Sequence, residues 1–106
     1  MKDDLAFIKS CFKDRAVFWT YHVNMRLAER HIPRNAILKS IDTFEVLESY
    51  PDDKYLPTCL VYGSYQGLVF HIVLALDRME ANVRVITAYK PSASEWENDF
   101  RRRKDR

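Results

Sequence analysis

At 106 residues, 47% of them hydrophobic and only two of them glycine, the chain has the size and composition of one compact domain, residues 1–106. A disordered or low-complexity chain is excluded. The formal charge of +2 is unevenly placed: "RRRKDR" at 101–106 holds five of the 17 basic residues and one of the 15 acidic ones. Residues 1–100 therefore carry 12 basic against 14 acidic residues, so attraction to phosphate must come from local patches rather than from a generally basic surface.

From Asp3 to Arg15, Leu5, Ala6, Ile8, Cys11 and Phe12 keep helical spacing, and Asp3 and Asp4 favour the amino end of a helix. These residues lack the positive start and long apolar centre of a secretory signal, no segment reaches the roughly 20 apolar residues of a membrane span, and a cytoplasmic protein is expected. Thr20 is the cap of a second helix running to about Arg30. Pro33 suits the first turn of a third, "PRNAILKSI". In "FEVLESY", Phe44, Val46 and Glu48 fall on one face and Glu45, Leu47 and Ser49 on the other; this imperfect alternation reads as a strand near a sheet edge.

"PDDKYLP" is a loop. "TCLVYGSY" and "LVFHIVLALD" follow as strands joined by a hairpin at Gln66-Gly67, and "RMEAN" turns the chain into "VRVITAY". After Pro91, Ser94 caps a predicted final helix, "EWENDFRRR", whose Trp96 and Phe100 stand four apart. The predicted fold is α+β: three N-terminal helices, a four-stranded, mainly antiparallel meander and a C-terminal helix.

Three groups of residues are candidates for chemistry. On a helix, with His22 at zero, Arg26 falls at about 40° and Arg30 at about 80°, beside Val23 and Leu27. Such a stripe forms the wall of an anion-binding cleft, with arginines clamping phosphate and a histidine moving protons, or else lays its stems over the edge of the core. His71 lies in a strand that is apolar on both faces, which marks a central, covered strand; it is a satisfied core histidine or, on an open concave face, a site residue. Thr87 and Tyr89, read as sharing a face with Val83 and Val85, stand with Lys90 at the end of the last strand, where a tyrosine and a cation serve base stacking and phosphate contact. Arg101, Arg102 and Arg103 are a phosphate patch or a solvated basic end. His31 reads as a helix-terminus residue, Cys11 and Cys59 as buried thiols, and "YPDD" as a solvated acidic turn. The three histidines form no close ligand pair, so no metal or cofactor is expected.

"HVNMRLAERHIPRNAI" resembles the H-x-x-x-R-x-x-x-R-x-I-x-x-x-x-(I/V) signature of a bacterial domain family of unknown function, whose usual "ERGI" reads "ERHI" here. The family's later pieces are matched in order by "YPDD", "HIV", "ITAYKP" and Trp96, so the likeness spans about residues 19–103. That family is similar to the RelE-, BrnT- and MqsR-like toxins of bacterial toxin–antitoxin pairs. The resemblance implies a compact antiparallel sheet with helices at its amino side, metal-independent RNA cleavage, and a cognate antitoxin, in this type often a small zinc-finger protein. On that reading His22 or His71 moves protons, Arg26 and Arg30 hold phosphate, and Tyr89 stacks on a base or donates a proton. BrnT carries an arginine where this chain has Tyr89 or Lys90. The rival expectation is a non-catalytic protein- or nucleic-acid-binding module of the same fold, which the mildly acidic body favours. No membrane association is expected.

Overall fold

The computed structural model describes residues 3–104; Asp105 and Arg106 of the basic end lie outside the described residues. The chain forms α1 (Asp4–Lys13), β1 (Val17–Trp19), α2 (Tyr21–Glu29), α3 (Arg34–Lys39), a 3₁₀ turn (Ile41–Thr43), β2 (Glu45–Tyr50), β3 (Thr58–Tyr65), β4 (Leu68–Asp77) and β5 (Asn82–Tyr89). The α+β class is as expected, but the sheet has five strands in the order β1-β5-β4-β3-β2. The added strand, "VFW", is three residues between two helices, too short to show a period. It pairs parallel to β5, so the sheet is mixed. Strands β2 to β5 form the expected antiparallel meander, with β4 central and β2 at an edge.

Local chemistry sets the helix ends. The Asp3 carboxylate accepts from the Ala6 amide at 3.1 Å and the Thr20 hydroxyl oxygen from the Val23 amide at 3.0 Å. α2 stops in a Schellman turn: the Ile32 amide reaches the Leu27 carbonyl at 2.9 Å, and His31 sits left-handed at φ 56°. Pro33 is the cap of α3 rather than its first residue.

All three helices cover one face of the sheet. Ile8, Phe12, Val23, Leu27, Ala36 and Ile37 pack there with Val61, Phe70, Ile72, Leu74, Val83 and Val85. Gly63 makes room in this layer, since a Cβ on it would stand 2.7 Å from the Phe70 ring. Neither cysteine is in a disulfide, and both are buried.

The expected C-terminal helix is absent. Residues 92–104 instead form a tight two-stranded loop: the Glu97 amide donates to the Arg102 carbonyl at 2.8 Å, the Lys104 amide to the Glu95 carbonyl at 2.9 Å, and Trp96 bridges Arg103. An isolated nine-residue helix is marginal, Asn98 and Asp99 are turn formers, and Phe100 is left-handed at φ 58°. The loop lies on the second face of the sheet, so at that end the molecule has three layers.

Two bulges correct the expected strand faces. One between Val46 and Glu48 puts Glu45, Glu48 and Tyr50 together on the second face, with Val46 on the helix face. The other, opposite Val73 and Leu74, separates Thr87 and Tyr89 from Val83 and Val85; Thr87 and Tyr89 pair with Val73 and His71 on the second face. No helix is long and apolar enough to cross a membrane.

The left-handed position of His31 is one that glycine takes without a Cβ clash. His31→Gly should therefore stabilise the fold by roughly 0.5–1 kcal/mol, the relieved clash outweighing the entropy of an added glycine. Urea denaturation of the two chains measures the difference.

Candidate functional site

Strand register lays two rows across the second face. Glu45, Tyr62, His71 and Tyr89 form one, and Glu48, Leu60, Val73 and Thr87 the other. The C-terminal loop crosses both. Trp96, 3% exposed, seats its indole edgewise on the His71 ring with centroids 4.4 Å apart. The Tyr89 and Tyr62 rings stand 5.5 and 6.4 Å from that imidazole. Arg101 donates to Glu45 and lies 4.2 Å over the Tyr62 ring. Arg103 holds Glu48 with two hydrogen bonds, Nε to Oε2 at 2.6 Å and Nη2 to Oε1 at 3.2 Å, and lies 4.6 Å over Trp96. The Tyr50 hydroxyl donates to the same Glu48 carboxylate.

His71 is 0% exposed. Burial pushes its pKa below the usual value, against the pull of a 2.7 Å hydrogen bond to the Phe100 carbonyl. A carbonyl only accepts, so Nε2 carries the proton and Nδ1 a buried lone pair with no partner among the described residues. Burial likewise raises the Tyr89 phenol. Glu48 is held below the usual carboxylate range, mainly by its hydrogen bonds from Arg103, and that bond raises Arg103 in turn.

Magnitudes show what docks the loop. Burying an indole of about 150–250 Å² contributes roughly 4–6 kcal/mol. The two arginine–glutamate pairs are solvent-exposed and contribute about 0–1 kcal/mol each. Ordering each loop residue costs about 1–2 kcal/mol of backbone entropy. Trp96 is the anchor, and the arginines orient it.

The His22 stripe is divided. Val23 and Leu27 place α2 on the helix face, so the sheet separates this helix from His71. His22 and Arg26 are exposed. Arg30 alone turns to the sheet, donating through Nη1 to the Ala88 carbonyl at 2.7 Å and the Thr87 hydroxyl at 3.1 Å. β1 pairs only as far as Val85, so Arg30 serves the β5 edge that β1 leaves open. Lys90 is exposed, and so is Arg102, 3.9 Å from Asp99. Glu45, Glu48 and Tyr62 complete the cluster and escape sequence reasoning: the bulge at Leu47 hides the shared face of the two acids, and Tyr62 looks like any strand aromatic. Farther along the same face a groove of about 430 Å³ lies among Tyr55, Leu56, Ala75, Arg84 and Ile86. Its Arg84 is already paired with Asp77 at 2.8 Å. Among the described residues no three histidine, cysteine or acidic side chains are grouped to hold a metal ion.

A family model, "Domain of unknown function (DUF4258)", matches residues 19–90, about two thirds of the chain. The chain belongs to this family. No curated protein and no solved structure matches it. The DUF4258 match takes in α2, α3, strands β2 to β5 and both rows of the second face, and of β1 only Trp19. The loop that covers them begins after its last residue, Lys90.

Arg30→Ala should cost about 1.5–3 kcal/mol, the range for hydrogen bonds from a charged donor, whereas exposed Arg26→Ala should stay within about 0.5 kcal/mol. Thermal melts separate the two. Because His71 is depressed in the folded state, the unfolded chain takes up a proton first as pH falls. Its contribution is complete above the unfolded pKa of about 6.5 and is lost as pH falls below it. Melting temperature should drop from pH 7 to pH 5, and more steeply for the parent than for His71→Gln, whose amide still donates to Phe100. An equal slope in both chains would assign the drop to other groups.

Proposed function

We propose that the protein is a metal-independent RNA-cleaving domain of the toxin type, held in check by a partner. The observation that supports the reading is the Tyr50–Glu48–Arg103 cluster at the open rim of the second face. RNA cleavage without a metal needs a base for the 2′-hydroxyl, a cation for the charge that builds on phosphorus, and a proton for the leaving oxygen. Glu48, ionised at neutral pH, is the base. Arg103 carries a planar fork suited to phosphate oxygens, and Tyr50 keeps its proton because the neighbouring carboxylate raises its pKa.

His71 and Tyr89 sit beneath this rim. His71 holds the Phe100 carbonyl and the Trp96 ring, and through them positions Arg103 against Glu48. It is a positioning residue in this reading. Lys90 and Arg102 are exposed where flanking phosphates would pass, while Arg30 supports the β5 edge and His22 and Arg26 stand across the sheet. The rival, a binding module without catalysis, has one observation of its own: the same Glu48–Arg103 pair tethers the C-terminal loop, and His71 is sealed beneath it.

Mixed RNA incubated with the purified protein in EDTA decides between them. The parent should cleave, and Glu48→Gln should cleave at least ~10²-fold more slowly, the contribution of one general base. Absence of cleavage by the parent would favour the binding module.

A further inference from the structure

The second face of the sheet has a chemistry that its present occupant makes explicit. Two carboxylates, exposed Glu45 and half-buried Glu48, flank an aromatic floor of Tyr62, His71 and Tyr89. Into it the chain's own loop delivers an indole, two guanidiniums and a backbone carbonyl. The buried imidazole uses only one nitrogen in this contact and leaves Nδ1 unpartnered. The loop hangs from Lys90-Pro91; outside the loop itself, the polar and ring contacts of Trp96, Phe100, Arg101 and Arg103 are with this face, and none of the four belongs to the core cluster under the helices. The face lies within the residues that match the family, whereas the loop lies outside them.

We propose that this face is a docking site for a basic, aromatic peptide segment of a partner protein, and that residues 91–104 are its built-in competitor. Charge selects the occupant. With the loop lifted, the two rows present two carboxylates and no cation of their own; Arg30 reaches them only at the Thr87 edge, across the sheet from Glu45 and Glu48, so the acidic side of the face favours arginine over phosphate. The occupant carries a tryptophan or another large aromatic for the His71 seat and arginines for Glu45 and Glu48. It offers a donor to the free Nδ1 as well, a bond the present loop does not make. The docking site rests on geometry and charge alone. Joined to the cleavage reading it also supplies regulation, because a partner that takes Glu48 removes the base.

The probe is a synthetic peptide of residues 91–106, titrated against four full-length chains whose folding is checked by thermal melts. The parent's tethered loop competes at a high effective concentration, so Arg103→Glu and Trp96→Ala, which weaken that loop, should each bind the peptide at least ~10-fold more tightly than the parent. Glu48→Arg in the Trp96→Ala chain, whose own loop then faces it with a like charge, should abolish binding of the native peptide, and a peptide carrying Arg103→Glu should restore it. Failure of the native peptide to bind a folded Arg103→Glu chain would overturn the proposal. So would displacement of the bound peptide by single-stranded RNA, which would make the face a nucleic-acid site. Peptide binding in a protein that cleaves no RNA keeps the docking site and removes the nuclease; cleavage without peptide binding does the reverse.

Discussion

β4 is buried on both sides, and that constraint organises the molecule. A central strand that carries Phe70, Ile72, Leu74 and Leu76 on one face and His71, Val73 and Ala75 on the other needs two covers. The helices supply the first. The sheet has a second face that none of the three helices reaches, and the last dozen described residues supply its cover instead. Without it, a histidine, two tyrosines and a leucine–valine pair would stand open to water.

The second cover is of a different kind from the first. The helix layer is an apolar seam of interdigitated side chains, whose removal would unfold the domain. The loop layer rests on one indole and a set of polar contacts at its rim, with exposed ion pairs that orient more than they hold. Burial and lability therefore coincide at His71. The residue is as deep as any core side chain on its helix-facing neighbours' strand, yet only a detachable hairpin separates it from solvent. This combination makes the second face the candidate site in preference to α2, where His22 and Arg26 are exposed and Arg30 hydrogen-bonds a strand edge.

The likeness of the chain to a domain of unknown function identifies a family without assigning an activity. The matched region contains strands β2 to β5 and their acidic–aromatic rows, while α1, most of β1 and the covering loop fall outside it. The candidate chemistry accordingly straddles the border: Glu48 and Tyr50 belong to the matched region, and Arg103 comes from beyond it. Cleavage and docking draw on the same carboxylate, and so a single interaction, Glu48 with Arg103, connects both readings.

What was legible in the sequence was whatever depends on neighbours along the chain. Helical spacing located three helices, Thr20 announced itself as a cap, and the apolar character of both faces of "LVFHIVLALD" marked a central, doubly covered strand. These are properties of consecutive residues and survive in any environment. What only the tertiary structure decided depends on distant partners. "VFW" is a strand because β5 is there to receive it, not because three residues have a period. "EWENDFRRR" reads as a helix by spacing, but its Trp96 gains more from the His71 seat than a nine-residue helix gains from its own hydrogen bonds. Bulges at Leu47 and Ile86 shift side chains by one position and so exchange their faces, an effect invisible to alternation. The site is therefore written in residues the sequence displays, Glu45, Glu48, Tyr62, His71 and Arg103, but their meeting is a matter of register and of one folded-back loop.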